Sequence, residues 1–183
     1  MKSIDIRLKG QEMELLKGAV GKVLNRYAHT PFTYNARAIQ IIQLVIDSVD
    51  YYLRSETQPL DYYGSEEDVA VWKYTTVRPP VMDAYEFVNT PMDSVIKRIK
   101  IVQENQRVFE NGVQLYNNHV TRAIIFDFGD RQLSLEKSVW FMEDIFVRRG
   151  YDLEKELAPT DDFCSDWNDG FSASCERDIV LLE

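Results

Sequence analysis

The chain has 183 residues, of which 45% are hydrophobic and 28% are charged. This composition predicts a folded domain with a hydrophobic core and excludes a chain that is disordered throughout. The net charge is −9, and nearly all of the excess lies in residues 151–183, which carry 2 basic and 10 acidic side chains. The rest of the chain is therefore close to neutral, and the acidic balance does not describe its whole surface.

The small number of cysteines and histidines limits the chemistry that the sequence can offer. Cys164 and Cys175 have no C-x-x-C spacing and no neighbouring histidine, which argues against a zinc cluster and against a disulfide framework. The first residues contain no apolar segment of the signal-peptide type, and the longest apolar run, residues 38–46, is interrupted by glutamines. We therefore expect free thiols, a cytoplasmic location, no membrane contact and no cofactor.

Two helices are predicted in the N-terminal third of the chain. Before them, residues 3–9 alternate apolar and charged side chains, which is typical of a strand with one buried face. From Gln11 to Tyr27 the apolar residues recur at helical spacing, although Gly18 and Gly21 would each cost this helix roughly 1 kcal/mol relative to alanine. The second helix spans residues 39–54, and its polar residues recur at steps of three and four: Gln40, Gln43, Asp47, Asp50 and Arg54. So narrow a polar stripe predicts a helix that is buried on most sides and lies across a sheet.

A polar loop, further strands and one short helix are predicted after the second helix. Residues 55–68 are polar and contain a proline and a glycine, which indicates a loop. Residues 69–77 and 138–149 are rich in β-branched and aromatic side chains and indicate strands, while residues 96–103 favour an extended conformation. Residues 151–157 follow a glycine and end before a proline, which predicts a short helix.

Two hairpins give the strongest local signals. The Asn111-Gly112 pair lies between two β-compatible runs and predicts a tight turn, with Val108 opposite Leu115. The second turn, Gly129-Asp130, has glycine at the first central position, where a type II′ turn requires a positive φ. Counting outward from it predicts four cross-strand pairs: Phe126 with Leu133, Ile124 with Leu135, Asp127 with Gln132, and Ile125 with Ser134. One face of this hairpin is apolar and the other is largely polar, as in an antiparallel sheet with one face on the core.

These elements together predict an α+β fold, in which the two N-terminal helices pack on one face of a mainly antiparallel sheet formed largely by residues 96–149. We expect residues 1–157 to form a single α+β domain. Residues 158–183 would form an acidic arm that contains aromatic residues and is either packed on the domain or flexibly attached to it. We also expect self-association, because the apolar strand over residues 139–147 could expose an edge or patch for a second copy.

The search for catalytic residues gives one candidate group. His119 immediately precedes a predicted strand, and Asp127, Glu136 and Glu143 belong to neighbouring strands. These four residues could serve a metal-assisted hydrolase or nuclease. The sequence around them contains neither H-x-E nor H-E-x-x-H, so no metal-binding motif supports this function. A nucleotide site at residues 18–23 is also disfavoured, because the segment lacks two features of a phosphate-binding loop.

Two binding functions remain. Basic and aromatic residues alternate over residues 97–149, as in sheets that bind single-stranded nucleic acid, but residues 93–150 carry only 9 basic against 8 acidic side chains. In the tail, Phe163, Trp167 and Phe171 recur every four residues between acids, and such a segment is able to dock into a groove. The sequence therefore predicts a non-catalytic binding or regulatory protein that acts through protein contacts, with these three aromatic residues as candidate partner-binding residues. The hydrolase and the nucleic-acid-binding sheet are the alternatives.

Overall fold

The computed structural model describes residues 1–62, 64–165 and 167–183. It shows that the predicted α+β fold is wrong, because 59% of the residues lie in strands and only 10% in helices. Tyr63, which belongs to the predicted loop, and Asp166, which belongs to the predicted acidic arm, lie outside the described residues.

The described residues form twelve strands and four short helices. The strands are β1 (Lys2–Ile6), β2 (Val23–His29), β3 (Arg37–Ile39), β4 (Ile41–Ile46), β5 (Val49–Tyr62), β6 (Ser65–Thr75), β7 (Val88–Val95), β8 (Arg98–Glu110), β9 (Val113–Asp127), β10 (Gln132–Lys137), β11 (Asp144–Gly150) and β12 (Phe171–Leu182). The helices are α1 (Gln11–Lys17), α2 (Asp161–Cys164) and two 3₁₀ helices at Pro80–Asp83 and Leu153–Glu156. Within the described ranges, every helix is too short or too polar to cross a membrane.

The strands form two sheets. The large sheet has seven strands in the order β12-β8-β9-β10-β11-β3, and β1 pairs with the half of β9 that β10 leaves free. The small sheet has five strands in the order β6-β5-β4-β2-β7. The β1–β9 pair is parallel, whereas the other strand pairs are antiparallel. The prediction of mainly antiparallel pairing is therefore confirmed.

The two sheets pack face to face around a shared hydrophobic core. Ile124 and Leu135 enter the core from the large sheet, Leu44 and Leu53 enter it from the small sheet, and Leu16 of α1 packs against the same cluster. Burying each of these side chains stabilises the fold by roughly 1.5–3 kcal/mol. Since side chains alternate along a strand, the neighbours of these residues in the large sheet point to the opposite face, which we call the outer face.

The first predicted helix is correct only in its first half. α1 ends at Lys17, and the turn that follows contains Gly18 and Gly21, the latter with a φ of +82°. The last part of the predicted helix, residues 23–27, instead belongs to β2, which lies between β4 and β7. The low helix propensity of glycine ends the helix here, and the apolar residues beyond it are buried from a strand instead.

The second predicted helix is wrong throughout, because residues 41–46 and 49–62 form the β4–β5 hairpin. Asp47 and Ser48 make the turn, with φ values of +47° and +63°. Positive φ at both central positions is the pattern of a type I′ turn, whose twist matches that of the two strands. The many β-branched residues here lose side-chain freedom in a helix and fit a pleated sheet, which overrides the helical spacing of the polar residues.

Several strand boundaries also differ from the prediction. The predicted loop at residues 55–68 is wrong, because β5 continues to Tyr62 and β6 begins at Ser65. Of the predicted strand at residues 138–149, only the part from Asp144 onward is extended. That strand, β11, lies between β10 and β3, so the free edge that we expected there is not present. The short helix predicted at residues 151–157 is confirmed as a single 3₁₀ turn.

Both predicted hairpins are confirmed. All four pairs counted from Gly129-Asp130 occur, and Gly129 has a φ of +97°. The Asn111-Gly112 turn also joins two strands, but Val108 pairs with Tyr116 and not with Leu115. A β-bulge next to Val108 adds one residue to β9 and shifts the register. The acidic tail ends in β12, which pairs with β8 along its whole length at the edge of the large sheet.

Candidate functional site

A cleft of about 540 Å³ lies on the outer face of the large sheet, and we call it the outer cleft. Its walls are formed by residues 138–141 on one side and, on the other, by a second wall of Ala158, Pro159, Thr160, Asp162, Phe163 and Trp167, and outward-facing side chains of the large sheet form its floor. The polar floor residues are Glu104, Gln106 and Arg122, and the aromatic lining residues are Tyr62, Trp140, Phe141, Phe146, Phe163 and Trp167. The volume lies within the range of cavities that hold small molecules.

The strand pattern explains why polar side chains lie at this floor. Leu135 is buried in the core, so the next residue, Glu136, points to the outer face. Arg122 reaches the same face through a β-bulge in β9: Ala123 pairs with Val102 and Thr121 pairs with Gln103, which leaves Arg122 as the extra residue. A bulge of this kind redirects one side chain relative to the regular alternation.

Charged residues cross the outer face in a row, with one from each of six strands. In strand order they are Arg37 (β3), Arg148 (β11), Glu136 (β10), Arg122 (β9), Glu104 (β8) and Arg177 (β12). The two glutamates are almost completely buried, with exposed fractions of 0% for Glu136 and 4% for Glu104. Burying a carboxylate is strongly unfavourable unless it is paired and hydrogen-bonded. The arginines on either side of each glutamate meet this requirement.

Glu136 is the more heavily bonded of the two carboxylates. Its Oε1 accepts hydrogen bonds from Arg122 Nη2 at 2.9 Å and from the backbone N–H of Ala158 at 3.0 Å. Its Oε2 accepts a hydrogen bond from Arg148 Nη1. The same Ala158 accepts a hydrogen bond through its carbonyl from Arg177 Nη2 at 2.7 Å. The two backbone hydrogen bonds of Ala158 therefore connect the second wall of the cleft, which begins at this residue, to the buried charges.

Glu104 links the charges to the aromatic wall. Its Oε1 accepts from Arg177 Nη2 at 2.5 Å, and its Oε2 accepts from Gln106 Nε2 at 2.9 Å. The side-chain carbonyl of Gln106 then accepts a hydrogen bond from the indole N–H of Trp140 at 2.8 Å. Tyr62 packs on Trp140 with 5.0 Å between ring centroids. The aromatic wall is thus held in place by a chain of hydrogen bonds that begins at a buried carboxylate.

Arg37 differs from the other arginines of the row. Its guanidinium carbon lies 4.8 Å from the centroid of the Phe146 ring, and that of Arg148 lies at the same distance from this ring. The Nε of Arg37 is buried, and within the described residues it has no hydrogen-bond partner. Arg37 follows a turn in which Asn35 and Ala36 have φ values of +42° and +60°. Arg37 is therefore a largely uncommitted cation at one end of the outer cleft.

Burial changes the protonation of three groups near this site. Burial and the nearby Arg122 lower the pKa of Lys137 to about 7, and its ammonium group bonds to the carbonyl of Ala70. Burial, followed by the charge of Glu104, raises the pKa of Cys175 to about 12. Burial also raises the pKa of Cys164. Both thiols are protonated near neutral pH and are poor nucleophiles, because the thiolate is the reactive form.

The four candidate catalytic residues do not converge on one site. Glu136 belongs to the charged row, whereas Glu143 lies in the loop before β11 and accepts a hydrogen bond from the backbone N–H of Thr57 at 3.2 Å. His119 and Asp127 are eight residues apart on β9, which separates them by about 27 Å. Asp127 lies 3.3 Å from Arg98 Nε, and His119 Nε2 lies 3.1 Å from Asn117 Nδ2.

Metal binding likewise receives no support from the side-chain positions. Across residues 1–62, 64–165 and 167–183, no three histidine, cysteine, aspartate or glutamate side chains come together as metal ligands would. The geometry therefore does not favour the metal-assisted hydrolase.

The candidate partner-binding residues are closer together. Phe163 and Trp167 both line the outer cleft, with 5.6 Å between their ring centroids. Phe171 lies beyond them, 6.4 Å from Trp167, and borders a separate groove that it shares with Trp167. The sequence thus indicated one wall of the cleft through its aromatic spacing.

Sequence reasoning missed the floor of the cleft. Glu104 and Gln106 lie in an uninterrupted polar run, residues 103–107, and such a run is equally typical of a segment in contact with water. Their burial depends on distant partners, since Arg177 is 73 residues from Glu104 along the chain. The position of Arg122 at the floor could not be predicted, because the bulge that redirects its side chain depends on the register of two strands. Comparisons with protein-family models, curated proteins and solved structures gave no match.

Proposed function

We propose that the protein is a non-catalytic binding module that takes up a small ligand in the outer cleft. The observation that carries this proposal is a cleft whose walls are fixed before any ligand arrives. Trp140 is fixed by its hydrogen bond to Gln106, and the second wall is anchored by the hydrogen bond from the backbone N–H of Ala158 to Glu136. Clefts that are largely preformed, mostly apolar and furnished with a few polar groups are typical ligand sites.

The hydrogen bonding of the floor supports binding rather than catalysis. A general base or nucleophile needs a lone pair that is free to attack or to accept a proton. The carboxylate of Glu136 already accepts hydrogen bonds from two arginines and a backbone N–H, and that of Glu104 accepts them from Arg177 and Gln106. These groups stabilise the site and are already occupied.

The proposal changes the role of the aromatic tail. We predicted from the sequence that Phe163, Trp167 and Phe171 contact a protein partner. In the present proposal Phe163 and Trp167 contact the ligand as walls of the cleft, and Phe171 lies outside it. A cavity of about 540 Å³ suits a small molecule better than a protein surface.

We also propose a cytoplasmic location. Both cysteines are unpaired, which is usual in a reducing compartment. Alkylation of the thiols directly after cell lysis, followed by mass spectrometry, checks this point. Two alkylated cysteines are expected, and an oxidised pair at that stage would contradict the proposed location.

A neutral fluorescent probe tests the proposed function. N-phenyl-naphthylamine has two aromatic ring systems, a naphthalene and a phenyl, and no charge, and its emission rises in apolar clefts. We expect saturable binding of one molecule per chain, weakened roughly tenfold in Phe146→Ala, because this ring forms part of the cleft. Tyr151→Ala is the matched control, since Tyr151 is exposed and lies outside the cleft. Absence of saturable binding, or equal weakening in both variants, would contradict the proposal.

A further inference from the structure

One end of the outer cleft is formed by Arg37 and Phe146, and the guanidinium of Arg148, which is not part of the lining, packs against the same ring. Phe146 pairs directly with Arg37 across β11 and β3, and Arg148 lies two residues further along β11. Each guanidinium carbon is 4.8 Å from the ring centroid. A planar guanidinium with free N–H groups recognises carboxylate, sulfonate and phosphate oxygens through paired hydrogen bonds.

The donors at this end are not used up within the protein. Arg148 donates to Glu136 from Nη1. Among the described residues, Arg37 makes no ion pair with an acidic side chain, and its buried Nε has no acceptor. A buried donor without an acceptor is unfavourable, and the terminal N–H groups of the same guanidinium are the donors that an anion in the cleft would contact.

The rest of the floor offers little to a polar ligand. Gln106 uses its amide nitrogen on Glu104 and its amide oxygen on Trp140. Arg122 donates to Glu136 and to the carbonyl of Ser138. A neutral polyol such as a sugar would therefore meet few free partners here. Beyond the Arg37 end, the lining is largely aromatic, with Thr160 and Asp162 as polar residues of the wall, and rings stack favourably on the aromatic part.

The backbone around Arg37 is held in place without a ligand. The carbonyl of Arg37 accepts a hydrogen bond from the N–H of Thr33 at 3.1 Å, and the carbonyl of Ala36 accepts one from the N–H of Val147 at 2.9 Å. Such anchoring positions the guanidinium in advance, which reduces the entropy lost when a ligand binds.

Resting on the proposed function, we infer that the ligand of the outer cleft is an aromatic anion: a small molecule with a flat ring system and one carboxylate, sulfonate or phosphate group. Its anionic group lies at Arg37 and Arg148, and its rings lie against the aromatic walls. Charge complementarity and the unused donors favour this class over a neutral ligand.

A matched pair of probes tests this inference. Anilinonaphthalene sulfonate has the ring system of N-phenyl-naphthylamine plus one anionic group. We expect the anionic probe to bind roughly tenfold more tightly than the neutral one. In Arg37→Gln this preference should fall to about twofold, because the variant removes the unpaired cation and leaves the rings in place. Arg78→Gln is the control, since Arg78 pairs only with Asp83 on the exposed surface and should keep the preference.

The possible outcomes separate the two proposals. If both probes bind with equal affinity, or if Arg37→Gln keeps the preference, the inference of an anionic ligand is overturned while the cleft remains a binding site. If neither probe binds, the proposed function fails as well. Naphthoate and naphthyl phosphate, used as competitors against the anionic probe, distinguish a carboxylate from a phosphate ligand, and stronger competition by either one supports the inference. Circular dichroism of Arg37→Gln confirms that the variant is folded.

Discussion

The two faces of the large sheet are both buried near its centre, but they are buried by different means. On the inner face, Ile124 and Leu135 pack against the apolar side chains of the small sheet. On the outer face lie Glu136, which directly follows Leu135, and Arg122, which the bulge in β9 turns outward, and their charges are covered by the walls of the cleft and by each other. Neighbouring residues of one strand are therefore stabilised by different interactions, by apolar packing on the inner face and by charge pairing on the outer face.

This contrast shows what each face requires of the sequence. The inner face needs apolar volume, and several side chains of similar size can supply it. The outer face needs a partner for each buried charge, because removing one partner leaves the other unpaired in a site that excludes water. The outer face should therefore tolerate substitution less well, although it looks more like ordinary protein surface in the sequence.

The largest effect is expected from Glu136→Leu. This change keeps the side chain similar in size but leaves Arg122 and Arg148 without their shared carboxylate, so we expect the free energy of unfolding to fall by about 3–5 kcal/mol. At the adjacent inner position, Leu135→Met also conserves volume and should cost less than about 1.5 kcal/mol. Urea denaturation of both variants measures the difference.

A double variant sharpens the same comparison. The stability lost in Glu136→Leu should come from the arginines that it leaves unpaired. If so, removing one of these cations in the double variant Glu136→Leu/Arg122→Met should restore at least half of the lost stability. A double variant that is no more stable than the single one would show that the outer face depends on something other than charge pairing.

The next effect concerns Lys137, which is buried at 3% exposure and follows Glu136 on β10. Burial and Arg122 hold its folded-state pKa near 7, below its ordinary value of 10.5. The unfolded chain binds this proton more tightly, so the charge destabilises the fold at low pH. Stability is recovered as pH rises from about 7 toward 10.5.

For the wild-type protein, this linkage predicts a gain of roughly 1.5 kcal/mol between pH 7 and pH 8.5. Lys137→Met should be more stable than the wild type at pH 7 and should lack this gain. Thermal or urea unfolding of both proteins across the pH range measures it. Parallel pH profiles for the two proteins would assign the titration to another group.

A smaller effect is expected from Trp140→Phe. The substitution removes the indole N–H that bonds to Gln106 at 2.8 Å and should cost about 1–2 kcal/mol, because the buried amide oxygen loses its donor. A double-mutant cycle with Gln106→Leu isolates this bond, and a coupling energy of roughly 1 kcal/mol is expected. Coupling near zero would mean that the loss comes from ring volume, as on the inner face.

The sequence predicted those parts of the fold that depend on neighbouring residues. The Gly129-Asp130 turn sets the register of the residues on either side of it, 124–127 and 132–135, and all four predicted pairs occur. The helix over residues 39–54 is wrong because most of its polar residues at helical spacing lie in the turn of a hairpin or on the face of the small sheet that points away from the shared core. Short apolar runs fit either period, and tertiary packing decides between them.

The same reasoning explains what could be foreseen of the outer cleft. Phe163 and Trp167 were found because their spacing repeats locally. Arg37 and Glu104 were missed because their roles arise only when strands far apart in the chain become neighbours in the large sheet. For Glu136, a catalytic candidate in the sequence analysis, the contacts with Arg122 and Arg148 could not be foreseen, since a carboxylate in a strand indicates neither whether it is buried nor which cation lies beside it.

The smallest effect comes from the turn that supports Arg37. Ala36 has a φ of +60°, a conformation that costs a residue with a β-carbon about 1–2 kcal/mol and that glycine adopts freely. Ala36→Gly should therefore stabilise the protein by roughly 0.5 kcal/mol, after the greater entropy of glycine in the unfolded chain is subtracted. Ala38→Gly is the control, because Ala38 lies in β3, is fully buried and is not among the described residues with positive φ. It should destabilise the fold.

If the alanine at this turn serves to hold Arg37, then Ala36→Gly should weaken binding of the anionic probe by about twofold to threefold while it raises the melting temperature. Backbone strain of this kind is found where a side chain must be positioned for a ligand, whereas apolar packing on the inner face does not require it. A variant that is more stable and binds the probe as tightly as the wild type would show that the strained turn belongs to the fold alone, and the distinction between the two faces would then rest on charge pairing.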